Sequence, residues 1–113
     1  MGAWLKRLLT LLAVLLATAL VLWPRPALAA LDGAKLFDNN CAGCHVRGGN
    51  IIRRGKTLKL AALERQGLAS PEAIARVAAA GIGQMSGYGA ALGEGGPEAV
   101  AAWVWQQAQD GWP

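Results

Sequence analysis

Cys41-Ala42-Gly43-Cys44-His45 places two thiols and an imidazole at i, i+3 and i+4. On one helical turn these positions share a face. A Cys-x-x-Cys-His run is the attachment pattern of c-type haem. Each sulfur adds to one haem vinyl group, and the adjacent imidazole lies under the iron as its proximal ligand. Cys41 and Cys44 are the only cysteines, so no other thiol competes for them, and His45 is the only histidine. Apart from Met1, Met85 is the only methionine, forty residues after His45 in Gly81-Ile82-Gly83-Gln84-Met85-Ser86-Gly87. Its thioether is the simplest sixth ligand for the iron. The ordinary alternative is a gap-filling core side chain, which the polar, glycine-rich setting argues against.

Other chemistries for this spacing fit less well. A structural zinc site needs four ligands, often two such cysteine pairs, and nothing nearby completes a set of three. A thioredoxin-like dithiol expects a βαβ context that this sequence lacks. A plain disulfide between Cys41 and Cys44 remains open in an exported chain, but leaves the adjacent His45 unexplained.

The N-terminal segment reads as a targeting signal. Lys6 and Arg7 form a short basic region, Leu8 to Trp23 is a run of sixteen mostly apolar residues, and Pro24 and Pro26 break it. Ala27-Leu28-Ala29 is an A-x-A cleavage site. The expectation is a cleaved Sec-type signal over 1–29 and a single domain over 30–113, with no stable membrane insertion after cleavage. The alternative is an uncleaved anchor, for which sixteen residues fall short of the ~20 that span a bilayer. Lys6, Arg7 and Arg25 leave with the signal, and eight basic residues then stand against seven acidic ones, a balance of +1. That balance gives nucleic-acid binding no support.

A domain of about 84 residues has a marginal core. One covalently bound haem c per chain would act as its staple, so the haem-free chain is expected to be largely unfolded. The first helix starts at the Asp32 N-cap and runs toward Cys44, with Leu36 and Phe37 as anchors. Val46 to Gly55 reads as loop. It carries Arg47, Arg53 and Arg54, which are either simply solvated or include one partner for a haem propionate. Thr57 caps a short helix to Arg65, with Leu60 and Leu63 inward and Gly67 closing it. Ser70-Pro71-Glu72 starts a helix that runs to Ala80 with Ile74 and Val77 on its inner side. After the Gly93-Glu94-Gly95-Gly96 loop, Pro97 opens the last helix, through Gln109, with Val100, Trp103 and Val104 as its packing stripe and Trp105 off centre. No segment alternates with period two, so the fold class is all-α.

The chain resembles the class I cytochromes c, and within them the cytochrome c6 family. The stretch from Gly33 through Phe37-Asp38-Asn39-Asn40 to His45 carries the likeness, with Gly48-Gly49-Asn50, Lys56-Thr57-Leu58, Met85 and the closing Ala102-Trp103-Val104-Trp105-Gln106-Gln107-Ala108. In that family Gly33 would let the first helix cross the last one closely, and Phe37 would pack on an aromatic, here Trp103. The resemblance implies a single cytochrome c domain over 30–113, a small cytochrome c fold of four to five helices wrapped around one haem, and a soluble monohaem one-electron carrier, not an enzyme. Its site residues are Cys41 and Cys44 as thioethers and His45 and Met85 as axial ligands. Its partners would be redox proteins, with the cytochrome b6f complex, photosystem I or a terminal oxidase as candidates. The compartment would be the thylakoid lumen or periplasm, and the state a monomer. Three positions depart from photosynthetic members: Ser86 where Pro is usual, Ala91 where Arg is usual, and Val77 where many have Gln. These departures resemble those of divergent c6-like paralogues. A rival of a different class is a haem-based redox or gas sensor with a labile Met85.

Overall fold

A computed structural model of the chain describes residues 2–23 and 31–113. The expected cleavage site, Ala27-Leu28-Ala29, lies outside the described residues. Helix α1, Gly2–Leu22, has no buried residue and is long and apolar enough to cross a membrane. A signal sequence near an N-terminus passes the same test. Its 21 residues extend the apolar run back through Lys6 and Arg7.

From Leu31 onward the architecture is five α-helices, one 3₁₀ turn and a minimal hairpin. Helix α2 spans Gly33–Asn40, where the Asp32 carboxylate accepts from the Lys35 N–H at 3.2 Å as an N-cap. It stops at Asn40 rather than continuing to Cys44. Cys41 to Cys44 instead forms one separate turn, in which the Cys44 and His45 N–H groups donate to the Cys41 carbonyl at 3.2 and 3.0 Å. The thiols and imidazole keep their shared-face spacing on that turn. A 3₁₀ turn follows at Val46–Gly48.

Helix α3 is Leu60–Arg65, starting two residues later than a Thr57 cap would set it. The Thr57 hydroxyl reaches only the Lys59 N–H, at 3.5 Å, which is long for a hydrogen bond. Gly67, at φ 69°, closes the helix as expected. Helix α4 is Pro71–Ala80, with the Ser70 hydroxyl accepting from the Ala73 N–H at 3.1 Å and Pro71 in the first turn. The glycine-rich stretch read as loop holds two strands of two residues each. They are β1, Gly81–Ile82, and β2, Met85–Ser86, paired Gly81 to Ser86 and Ile82 to Met85. A four-residue helix α5, Gly89–Leu92, has no local signal in the sequence. Helix α6 is Gly96–Asp110, capped at its end by Gly111. All-α is therefore the class, with one hairpin added.

The core sits where α6 packs on α4 and α2. Val100, Val104 and Ala108 line its inner side with Ala101, against Phe37 and Leu63. Trp103 packs beside this core, its ring centroid 4.9 Å from Phe37, as the family likeness implied. Trp105 is half-buried at the edge. A Cβ at Gly33 would run into the Ala99 carbonyl and lie 2.8 Å from the Trp103 Cβ. Backbone cannot move aside as a flexible side chain can, so the two helices would have to separate. Gly33→Ala should destabilise the folded protein by about 2 kcal/mol, in the range for overpacked contacts. A denaturant melt showing no loss would remove this crossing from the account.

The C-terminus closes over the same crossing. Trp112 sits 5.6 Å from Phe37 and 5.7 Å from Trp103, centroid to centroid. Its indole N–H donates to the Leu58 carbonyl at 3.0 Å, across 54 residues. The indole also lies flat enough on Gly48 that any Cβ there would overlap it. Trp112 holds φ 55°, a conformation that a bulky residue keeps only when its surroundings hold it there.

Candidate functional site

The turn after α2, the loop before α3, the inner side of α4 and the β1–β2 hairpin enclose a cavity of about 480 Å³. That is the size range of ligand and cofactor pockets. Cys41, Cys44, His45 and Met85 all line it. Forty residues separate His45 from Met85 in sequence, and the fold brings them to one chamber. Phe37, Leu63, Ile74, Val77, Val100 and Val104 supply apolar wall.

His45 is buried, and its Nδ1 lies 2.8 Å from the Gly49 carbonyl oxygen. A carbonyl only accepts, so Nδ1 carries the proton and donates it. That fixes the tautomer in which Nε2 keeps its lone pair, the form a metal-binding imidazole takes. The turn through Val46–Gly48 delivers this carbonyl: the Gly48 and Gly49 N–H groups donate to the His45 and Val46 carbonyls at 3.1 and 2.9 Å. In the sequence Gly49 stands out only as part of a flank, because a carbonyl role has no side-chain signature.

Both cysteines are free thiols, Cys41 half-buried and Cys44 exposed. Burial pushes the Cys41 thiol above its ordinary pKa, and the neighbouring Cys44 adds to the rise. Met85 is half-buried on β2. Gly81, at φ 81°, lies so close to the Met85 carbonyl and the Gly87 N–H that no Cβ fits there. The hairpin therefore holds the Met85 backbone tightly, which a free loop would not.

Of Arg47, Arg53 and Arg54, only Arg53 lines the cavity, together with Lys56. Asn50 shapes this stretch. Its side-chain oxygen accepts from the Ile52 and Arg53 N–H groups at 3.0 and 2.8 Å, and its amide donates to the Lys56 carbonyl at 3.0 Å. Val77, on α4, also lines the cavity.

Two free thiols, one imidazole in the metal-binding tautomer and one thioether around an apolar chamber are the donor set of a c-type haem. The five helices and this chamber define a class I c-type cytochrome, which carries one covalently bound haem c. Comparison with known proteins agrees. Residues 28–104 match the family model described as cytochrome c oxidase, cbb3-type, subunit III. Cytochrome c6 of a Synechococcus species is 44% identical over 109 residues, covering 95% of this chain and 97% of that protein. A cytochrome c6-like protein of Nostoc is 43% identical over 89 residues, covering 79% and 80% respectively. The crystal structure of cytochrome c6B from Synechococcus superposes with a TM-score of 0.72 at 67% identity, over 73% of this chain and 93% of that one. The chain belongs to the cytochrome c6 family.

Proposed function

We propose that this cytochrome is an exported one-electron carrier in which Cys41 and Cys44 hold the haem as thioethers and His45 and Met85 ligate its iron. The observation that carries this reading is the convergence of all four side chains on one cavity, with His45 already in the tautomer that leaves Nε2 free. When bound, the haem supplies a ferric–ferrous couple. Everything else is the work of this chain. The thiols fix the cofactor's position. The Gly49 carbonyl orients the imidazole and fixes its tautomer. The Met85 thioether, a soft neutral donor, favours the reduced state, and the apolar walls formed by Leu63, Ile74 and Val104 keep water from the site and add to that preference. His45 and Met85 together would hold the iron from the protein alone, which suits electron transfer without substrate binding.

The candidate partners are the cytochrome b6f complex as donor and photosystem I or a terminal oxidase as acceptor, met in the thylakoid lumen or periplasm after removal of residues 1–29. The protein acts as a monomer, since a carrier must leave one partner to reach the next. The sensor alternative needs a Met85 that leaves the iron easily, and the paired strands around Met85 give it no support.

The test is direct. Protein matured in a cell that attaches haem should be coloured, and should keep its pigment in acidified organic solvent, where a merely coordinated haem is extracted. Colourless protein, or pigment lost to the solvent phase, ends the reading. A redox titration, followed by transfer kinetics with each candidate partner, then separates photosynthetic from respiratory use.

A further inference from the structure

Among the described residues, only two that are not glycine hold a positive φ: Arg47 at 51° and Trp112 at 55°. A side chain is disfavoured there, and such residues persist only where their surroundings hold them. The two lie far apart in sequence and on the two sides of one contact. Arg47 bends the Val46–Gly48 turn, and the indole of Trp112 lies on Gly48, the next residue.

That turn is where the proximal ligand is held. His45 Nδ1–H donates to the Gly49 carbonyl at 2.8 Å, and Gly49 follows Gly48 directly. The Gly48 N–H donates to the His45 carbonyl at 3.1 Å, and the Gly48 carbonyl accepts from the Leu58 N–H at 2.7 Å. The Leu58 carbonyl in turn accepts the indole N–H at 3.0 Å. Trp112 therefore holds both ends of the Gly48–Leu58 link, one with its ring and the other with its N–H. Its own position is set by the end of α6. The Trp112 backbone N–H donates to the Gln107 carbonyl at 2.9 Å, past the left-handed Gly111, which is a Schellman stop. Phe37 and Trp103 pack on the ring. The turn itself has no side-chain cap, and Arg47 and Gly48 are left-handed in succession. It is too short to keep that shape unaided. Trp112 does not line the haem chamber, so any effect it has on the iron passes through this turn.

We propose that Trp112 is a positioning residue for the proximal ligand: it clamps Gly48 so that the Gly49 carbonyl stays in line with the His45 Nδ1 proton. The inference rests on the reading of His45 as an iron ligand and deepens it. Without the clamp the turn relaxes toward ordinary φ values and the carbonyl swings away. The imidazole then loses the bond that fixes its tautomer and the angle of its ring.

The experiment uses the holoprotein, matured with haem. In the ferrous form, exchange of the His45 Nδ1 proton with D2O is followed by NMR beside that of the Ala101 amide, which is fully buried on α6. Trp112→Leu should speed the Nδ1 proton about tenfold or more relative to Ala101, because the turn opens locally while the core stays closed. In the ferric form the spread of the haem methyl shifts, which follows the angle of the imidazole plane, should change in the same variant. Trp112→Phe keeps a ring on Gly48 but loses the indole donor, one neutral hydrogen bond, and should raise the exchange ratio only about two- to threefold. Leu92→Val trims a buried side chain of the same core, away from the chamber, and should leave the ratio and the methyl spread as they are. If both protons speed equally in Trp112→Leu, or neither changes, Trp112 is ordinary packing and the proposal is overturned. An unchanged methyl spread overturns it as well. Should Trp112→Leu yield no holoprotein, Trp112→Phe decides alone, and a ratio equal to that of the unaltered protein overturns the proposal. Unaltered protein that matures without pigment fails the haem reading first, and the inference falls with it.

Discussion

Met85→Ala should lower the midpoint potential by on the order of 0.2 V, a fraction of the roughly 0.8 V that axial ligands command. The physical cause is the loss of a soft, neutral donor that stabilises ferrous over ferric iron. At about 59 mV per tenfold for one electron, that shift is roughly three decades in the equilibrium with a fixed partner. The same variant should lose the weak far-red absorption of a sulfur-ligated ferric haem and should bind carbon monoxide rapidly when reduced. The hairpin should survive, because its pairing is backbone to backbone and Gly81 still fits against residue 85. An unchanged potential would take Met85 off the ligand list. It would leave Met85 as a half-buried filler whose thioether does not reach the iron.

Removing the haem should have the larger effect. In Cys41→Ser/Cys44→Ser, made without haem, the chamber of about 480 Å³ is left without its contents. Its apolar walls, Leu63, Ile74, Val77 and Val104 among them, then face water instead of the porphyrin. A domain of about 80 residues has a total stability of roughly 4–12 kcal/mol, so the haem-free chain should be mostly unfolded. Far-UV circular dichroism should show little helix and no cooperative melt. A helical, cooperatively melting apoprotein would mean that the α2, α4 and α6 interface suffices alone, and that the haem is cargo rather than scaffold. His45→Ala should fall between the two cases, retaining thioethers but no proximal ligand and yielding little stable holoprotein.

The parts of this fold written in local chemistry can be read straight from the residues. Ser70-Pro71-Glu72 names a helix start because a hydroxyl cap, a fixed φ and an acid near the helix dipole all act within four residues. The Asp32 cap and the glycine stops at Gly67 and Gly111 work the same way. Cys41, Cys44 and His45 announce their cofactor because attachment chemistry demands that spacing. What the residues do not announce is settled by tertiary contact. Helix α2 ends at Asn40 because the attachment turn takes over the backbone, not because of any stop residue. The β1–β2 pair is too short for alternation to show, and only the fold brings Gly81 against Met85. The Gly49 carbonyl, like any main-chain acceptor, has no letter in the sequence. The choice of Arg53 over Arg47 and Arg54 depends on how Asn50 folds its loop.

The position of Trp112 bears on the order in which the molecule is made. The indole reaches the Leu58 carbonyl across 54 residues, a contact that only the folded chain makes, whereas an unfolded chain leaves both thiols accessible. The indole that seats on Gly48 and ties down Leu58 would then close the molecule behind its pigment.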